Sequence, residues 1–241
     1  MHNGDTLGPA IMRSSPYRLI CFDVDGTLVG KTVFVWETLH ERLGTDRAAR
    51  RQAWDDFFAG RLAYADWFAS DLALFRQCGP VTRQRLLEAI DTLELVPGAH
   101  EALAALREAG MRLAVVSGSL NIVLEKFDLG RCFDDVFLNE LYFDDAGELC
   151  GSRPTPFDLD NKAGALDVLA AKYGFALAET AFVGDNFNDL SIARRAGMAL
   201  AFNSRCAELI ACSRANLPGD DLREILPYLL GTMPGQLTAR R

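Results

Sequence analysis

Residues 18–27 have the sequence RLICFDVDGT. The first five form a short, mostly apolar run, which stops abruptly at Asp23 and Asp25. An apolar run that ends this sharply is typical of a parallel strand buried on both faces of a sheet. Residues 25–27 then predict a turn. The stretch therefore predicts a buried strand that delivers two carboxylates to one edge of a sheet.

The chain changes character after this turn. From about residue 33 to 91 the apolar residues recur at helical spacing and aromatic residues are frequent. Thr82 is suited to cap the N-terminus of a helix that runs to about Ile90. No run typical of a strand interrupts the block. Residues 32–95 are therefore predicted to form an all-helical cap domain inserted after the first strand.

From residue 96 onward, helical and strand-like segments alternate. The sequence predicts helices over about 99–109, 121–127, 162–173 and 189–196, strands over about 113–116, 136–139, 181–183 and 198–202, and a hairpin over 142–149. Strands that alternate with helices form a parallel sheet covered on both faces. The fold class is therefore α/β: a core of residues 17–31 and 96–230 with a doubly wound, Rossmann-like parallel sheet.

Composition and chain ends narrow the class further. Residues 1–16 lack the features of a signal peptide and are expected to be a disordered leader, and 231–241 a flexible tail. The net charge of −8 argues against a nucleic-acid partner. No apolar stretch approaches the roughly 20 residues that span a bilayer, so no membrane partner is expected. Six scattered cysteines without metal-ligand spacing indicate a reducing, cytoplasmic location.

Polar side chains follow three of the predicted strands. Asp23 and Asp25 follow the first, Ser117 a later one, and Asp185 with Asp189 another. Because ligands of open α/β sheets bind outside the carboxyl ends of the strands, we expect these side chains to meet at one edge. Four carboxylates repel one another unless a cation joins them. A site made only of oxygen ligands suits Mg²⁺.

Donor groups complete this predicted edge. Ser117 with its neighbouring backbone N–H groups, and Lys162 at the start of a predicted helix, are suited to bind phosphate oxygens. Mg²⁺ and Lys162 would screen the repulsion between a carboxylate nucleophile and an anionic phosphorus. Asp25 is placed to protonate a leaving oxygen and then to deprotonate water. The residues thus favour phosphoryl transfer from a small anionic substrate.

Four segments occur in order along the chain: Asp23–Val24–Asp25–Gly26–Thr27, Ser117–Gly118, Lys162 and Gly184–Asp185–Asn186–Phe187–Asn188–Asp189. Together they resemble the four ordered motifs of the haloacid dehalogenase superfamily. The helical insert after the first motif is similar to the phosphoserine-phosphatase-like branch. The likeness extends from about residue 17 to 230.

This resemblance implies a role for each motif. Asp23 would be the nucleophile that carries the phosphoryl group, and Asp25 the general acid and base. Mg²⁺ would be bound by Asp23, the Asp25 carbonyl and Asp185, with Asp189 supporting the site. The phosphate would be held by Ser117, Gly118, Lys162 and Asn188. An acid at Asp25 favours a phosphatase over the dehalogenases and transport ATPases of related fold.

Other functions fit the same residues. A phosphomutase or phosphotransferase of the superfamily keeps both aspartates. A non-enzymatic phosphoacceptor signalling domain also uses Asp, Lys, Mg²⁺ and a hydroxyl, but it carries the phosphorylated Asp on a later strand. A third alternative is a catalytically silent binding protein built on this fold.

The insert departs from phosphoserine phosphatases at two positions. Thr32 stands where those enzymes carry a glutamate for the substrate's amino group, and Ala69 lies near the position of their arginine for its carboxylate. These departures leave the substrate open among small phosphorylated metabolites.

Four residues of the insert are candidate substrate contacts: Thr32, Trp36, His40 and Asp71. His40 follows Trp36 by one helical turn on the same helix face, so the two residues are candidates to line the cleft together. The alternative is that the aromatic residues pack as the core of a small helical bundle. Exposed aromatic residues would also serve a homodimer.

Overall fold

The computed structural model describes residues 15–232. Within this range the strands are β1 (Leu19–Phe22), β2 (Val29–Gly30), β3 (Glu94–Leu95), β4 (Arg112–Leu120), β5 (Asp135–Phe143), β6 (Leu149–Arg153), β7 (Thr180–Gly184), β8 (Met198–Phe202) and β9 (Ala215–Leu217). Seven of them form one sheet in the order β6–β5–β4–β1–β7–β8–β9. Neighbouring strands are parallel except for β5 and β6, which form an antiparallel hairpin.

The helices of the described residues are α1 (Val35–Leu43), α2 (Arg47–Phe58), α3 (Tyr64–Gln77), α4 (Arg83–Ala89), α5 (Ala99–Glu108), α6 (Asn121–Lys126), α7 (Lys162–Tyr173), α8 (Leu190–Arg195), α9 (Ala207–Cys212) and α10 (Leu226–Leu229). The buried residues of α5 and α6 belong to one hydrophobic cluster, and Ala165, Leu166 and Leu169 of α7, with the buried residues of α8, to a second. The sheet is therefore covered on both faces, and the predicted doubly wound α/β fold is confirmed.

Strand β1 shows why the sheet has two covered faces. All four of its side chains are fully buried. Ile20 and Phe22 pack into the cluster that contains α5, and Leu19 and Cys21 into the cluster that contains α7. Successive side chains of a strand point to opposite faces, so an unbroken apolar run contributes to both cores.

The insert is helical throughout, as predicted. Helices α1–α4 lie in sequence between β2 and β3, which pair antiparallel with Val29 opposite Leu95. The Thr82 hydroxyl caps α4 by accepting a hydrogen bond from the Arg85 N–H, at 3.2 Å. The exact bounds of the insert, residues 32–95, stay a prediction.

The structure of the core differs from the prediction in the length of β4 and in three short elements. Strand β4 continues to Leu120, so Ser117 lies within the strand instead of after it, and the register with β5 shifts between Val116 and Leu120. The short elements α9, β9 and α10 were not predicted. Their lengths of six, three and four residues are too short to show a clear periodicity.

Most of the predicted leader and tail lies outside the described residues. Of the leader, Ser15 and Pro16 are described, and the Ser15 hydroxyl donates to the Leu229 carbonyl. All six cysteines lie in the described part, and none forms a disulfide. Between residues 15 and 232, no helix combines the length and the apolar character needed to cross a membrane.

Candidate active site

The first predicted motif and Lys162 meet at the carboxyl edge of the sheet. Asp23 follows β1 directly and is 2 % exposed. The Lys162 ammonium group is fully buried and donates to Asp23 Oδ1 and to Asp189 Oδ1, at 2.6 Å in both cases. Helix α7 begins at Lys162, so this residue lies at the edge of the sheet where β1 and β7 end. A buried lysine thus joins two carboxylates that are 166 positions apart in sequence.

Asp25 is held through both of its carboxylate oxygens. Ser119 donates from its hydroxyl to Oδ1 at 2.7 Å, and the Val35 N–H at the start of α1 donates to Oδ2 at 2.7 Å. One donor belongs to β4 of the core and the other to the insert. Asp25 is 5 % exposed and is therefore fixed from both sides.

The residues predicted to bind phosphate lie beside these acids. Ser117, Gly118 and Asn188 line the same cavity as Asp23 and Asp25. Glycine at position 118 avoids a collision with Asp158, since a Cβ there would lie 2.1 Å from Asp158 Oδ2. Its carbonyl accepts hydrogen bonds from Trp36 Nε1 at 2.9 Å and Asn139 Nδ2 at 2.7 Å.

Three carboxylates are close enough to share a metal ion. Single oxygens of Asp23, Asp185 and Asp189 lie within 4.8 Å of one another. Asp185 Oδ1 is buried and has no hydrogen-bond partner among the described residues. Gly26 provides the space for this carboxylate, because a Cβ on Gly26 would lie 2.2 Å from Asp185 Oδ2. An all-oxygen donor set with an unsatisfied carboxylate oxygen fits Mg²⁺.

Asp189 has a different environment from the other two carboxylates. Its Oδ2 accepts from the N–H groups of Asp185 and Asn186, at 2.9 and 3.1 Å, while Oδ1 accepts from Lys162. Both oxygens are therefore engaged by the protein. Asp189 thus fixes the segment that carries Asp185, and its supporting role at a metal site stays a prediction.

Burial controls the ionisation of this cluster. It raises the pKa of Asp23 to about 8, although the Lys162 ammonium acts in the opposite direction. Burial, together with Asp23 and Asp189, raises the pKa of Asp185 to about 9. Burial also raises the pKa of Asp25 to about 6, against the hydrogen bonds from Val35 and Ser119. An added cation would favour the charged forms of these groups.

Lys162 carries a positive charge in spite of its position. Burial alone would lower its pKa, but the carboxylates of Asp189 and Asp23 raise it above its ordinary value. Its ammonium group is thus available as a permanent counter-charge for Asp23.

The predicted substrate contacts fall into two groups. Trp36 and Asp71 line the cavity that contains Asp23. His40 lines a neighbouring surface groove instead, with its Nε2 atom 2.9 Å from Asp71 Oδ1. Thr32 lies outside the cavity lining, and its hydroxyl is 3.0 Å from that of Thr38. A substrate contact by any of these four residues stays a prediction.

Sequence reasoning missed several residues of this site. Ser119 binds Asp25, and Tyr64 donates from its hydroxyl to Asp158 Oδ2 at 3.1 Å. Arg50 and Asp158 also line the cavity. The only sequence signal for Ser119 is its spacing of two from Ser117, which puts both side chains on the same side of an extended strand.

These features define a class of enzyme. The haloacid dehalogenase-like hydrolase family matches residues 20–194 of the chain. The chain belongs to this family, and the resemblance predicted from the four motifs is confirmed.

Within the family, the chain is similar to phosphoserine phosphatases. It is 35 % identical to a phosphoserine phosphatase of Mycobacterium tuberculosis over 92 % of this chain and 52 % of that protein. It is 29 % identical to that of Methanocaldococcus jannaschii, over 88 % of this chain and 97 % of that protein. The chain thus spans about half the length of the first relative and nearly all of the second.

A solved structure has the same fold and a similar level of sequence identity to this chain. It is the phospho-aspartyl intermediate analogue of a phosphoserine phosphatase, with a TM-score of 0.67, 27 % identity, and coverage of 88 % of this chain and 99 % of that one. These relatives are phosphoric monoester hydrolases by name, which is the enzyme class that the sequence predicted.

Proposed function

We propose that the protein is a Mg²⁺-dependent phosphatase that hydrolyses a small phosphomonoester through an aspartyl-phosphate intermediate on Asp23. The observation that carries this proposal is the contact of the buried Lys162 with Asp23, which lines the same cavity as Asp25. One carboxylate oxygen of Asp23 is held by the lysine, and the other is left without a hydrogen bond from the described residues. That free oxygen is the proposed nucleophile.

Two proton transfers follow from this arrangement. Asp23 attacks phosphorus, the bond from phosphorus to the leaving oxygen breaks, and protonated Asp25 gives its proton to that oxygen. Asp25, now a carboxylate, then removes a proton from water, and this water attacks the phosphorus of the aspartyl phosphate. Inorganic phosphate leaves, Asp23 is regenerated as a carboxylate and Asp25 is protonated again.

The carboxylate cluster is suited to hold Mg²⁺ during this reaction. Asp23, Asp185 and the Asp25 carbonyl would hold the ion, and Asp189 would keep the Asp185 loop in place. The bound cation supplies charge neutralisation at the phosphoryl oxygens. Ser117, Gly118, Lys162 and Asn188 are the proposed contacts of the phosphate itself.

The substrate is proposed by class. The relatives are named for phosphoserine, so phosphoserine is the first ester to test, although Thr32 and Ala69 replace the residues that bind its amino and carboxylate groups in those enzymes. A cytoplasmic location and the absence of nucleic-acid and membrane partners stay predictions from the sequence. Homodimer formation is likewise a prediction.

Phosphate release from a panel of phosphorylated metabolites tests the proposal. We expect release with Mg²⁺, none with EDTA, and none with Asp23→Asn, a variant of equal size whose folding is checked by circular dichroism. Release that persists in Asp23→Asn would refute the mechanism. Transfer to an added acceptor without release of free phosphate would identify a phosphotransferase or mutase instead.

A further inference from the structure

The cavity beneath the insert is lined largely by aromatic side chains, and the proposed phosphoryl chemistry uses none of them. Six belong to the insert: Phe34, Trp36, Trp54, Tyr64, Trp67 and Phe68. Trp36 Nε1 donates to the Gly118 carbonyl at 2.9 Å, so one of these aromatic side chains contacts a residue that is expected to bind phosphate. The rings therefore lie where the leaving group of a bound phosphomonoester would be placed.

Helix α3 supplies a continuous stripe to this cavity. Tyr64, Trp67, Phe68 and Asp71 follow one another at the i, i+3, i+4, i+7 spacing of a single helix face, and all four line the cavity. The last position of the stripe is an acid, although aromatic residues occupy the other three. This break in an otherwise apolar pattern requires a chemical explanation.

Asp71 is a buried carboxylate with one free oxygen. It is 5 % exposed, and Oδ1 lies 2.9 Å from His40 Nε2. Oδ2 accepts no hydrogen bond from the residues between 15 and 232. His40 is fixed on its other side by Thr45, whose hydroxyl lies 2.7 Å from Nδ1 and donates to the His40 carbonyl at 3.4 Å. Asp71 Oδ2 is therefore the carboxylate oxygen that is left for a ligand in the cavity.

Two pairs of aromatic rings in the cavity lining are nearly perpendicular. Trp36 and Phe68 cross at 85° with ring centroids 5.7 Å apart, and Trp54 and Trp67 cross at 88° at 5.5 Å. These are edge-to-face contacts between the rings themselves, and a ligand would contact the ring surfaces that face the cavity. The negative face of an aromatic ring attracts a cation within about 6 Å of its centroid, most strongly for tryptophan.

An ammonium ion that carries alkyl groups suits both the Asp71 carboxylate and the aromatic rings. A buried carboxylate oxygen without a partner costs free energy, which a bound cation offsets. The alkyl groups of such an ion are weakly hydrated and pack against rings, as in aromatic cages for quaternary ammonium ligands. A neutral, apolar leaving group would leave Asp71 Oδ2 without a partner, and an acidic one would be repelled by the carboxylate.

Arg50 is the cation that lines this cavity among the described residues, and it has its own partner. Its guanidinium lies 3.8 Å from Glu37 Oε1, its side chain is 26 % exposed, and it also lines the neighbouring surface groove. Glu37 and solvent therefore offset much of its charge. If Arg50 instead bound a substrate carboxylate, the cavity would select a phosphorylated amino acid, which is an outcome of the test below.

We propose that this cavity binds a phosphomonoester whose leaving group carries an alkylated ammonium ion, held by the aromatic walls with Asp71 as its counter-ion. The inference rests on the proposed phosphatase function and adds the substrate class to it.

Paired substrates isolate the contribution of the charge. Phosphocholine and its uncharged isostere 3,3-dimethylbutyl phosphate have the same shape, and kcat/KM for each is measured beside those for phosphoserine and p-nitrophenyl phosphate. We expect a preference of about tenfold or more for phosphocholine over the isostere. Asp71→Asn should abolish that preference. Asp66→Asn, an exposed acid on the same helix, should keep it.

The outcomes separate the two proposals. Equal turnover of phosphocholine and the isostere, with p-nitrophenyl phosphate still hydrolysed, would refute the inference alone. A preference for phosphoserine that is lost in Arg50→Gln would also refute it.

If no ester is hydrolysed, the proposed function fails, and tryptophan fluorescence still tests the cavity. Tetramethylammonium chloride, but not sodium chloride, should then quench the wild type more than Asp71→Asn, and equal quenching would overturn the inference.

Discussion

Ser119 donates a hydrogen bond from its hydroxyl to Oδ1 of Asp25, at 2.7 Å. The other oxygen of Asp25 accepts from the backbone of Val35, at the start of the insert. The proposed acid is therefore positioned jointly by the core strand β4 and by the helical insert. Movement of the insert away from the core would remove one of the two contacts.

Replacing Ser119 by alanine is expected to slow the chemical step. A hydrogen bond to a charged group contributes about 1.5 kcal/mol, so kcat should fall about tenfold while KM changes little. Steady-state kinetics on the best substrate measure both. Ser152→Ala, at an exposed serine of β6, is the control and should leave both constants unchanged. A rise in KM at constant kcat would mean that Ser119 binds substrate and does not position Asp25.

Lys162 is expected to stabilise the fold as well as the site. Lys162→Met leaves Asp23 and Asp189 buried without their shared cation, which should lower the free energy of unfolding by about 3–5 kcal/mol. Lys172→Met is the matched control, because Lys172 lies on the same helix, is half exposed and forms a surface ion pair with Asp135. It should cost about 1 kcal/mol or less. Urea unfolding in EDTA compares the two, and similar losses would contradict the prediction.

The positions of the candidate catalytic residues were predictable because each follows a strong local signal. The run Leu19–Phe22 ends at an acid, and helix α7 begins at Lys162 and ends before Gly174, which adopts a left-handed conformation. Parallel topology then brings the strand ends together without further information. For this reason Asp23, Asp185 and Lys162 converge as the sequence indicates.

The orientation of the insert was not predictable in the same way. Trp36 and His40 lie one turn apart on α1, yet Trp36 lines the cavity and His40 packs against Asp71 of α3. A helix face is wide enough to contact two neighbours, and the packing of α3 decides which side chain meets the cavity. Ser119 was missed for a similar reason, since the extension of β4 depends on its pairing with β5.

Mg²⁺ is expected to stabilise the folded protein. A ligand at a hundredfold excess over its Kd adds about 2.7 kcal/mol, so the Tm should rise by roughly 5–10 °C over that in EDTA. Asp185→Asn removes a carboxylate whose Oδ1 is unsatisfied within the described residues, and it should abolish the rise. Asp145→Asn, at an exposed position of the β5–β6 turn, should keep it. An equal rise in all three proteins would place the ion elsewhere.

Gly26→Ala is expected to weaken Mg²⁺ binding specifically. Gly26 has φ +84°, and a Cβ there would lie 2.2 Å from Asp185 Oδ2, so alanine must displace that carboxylate. Gly147 has φ +78° with open space around it, so Gly147→Ala carries the same backbone strain, about 1 kcal/mol, without the collision. Isothermal titration with Mg²⁺ compares the two variants. We expect at least about tenfold weaker binding for Gly26→Ala and wild-type affinity for Gly147→Ala. Equal affinities would show that Asp185 does not bind the ion from its observed position.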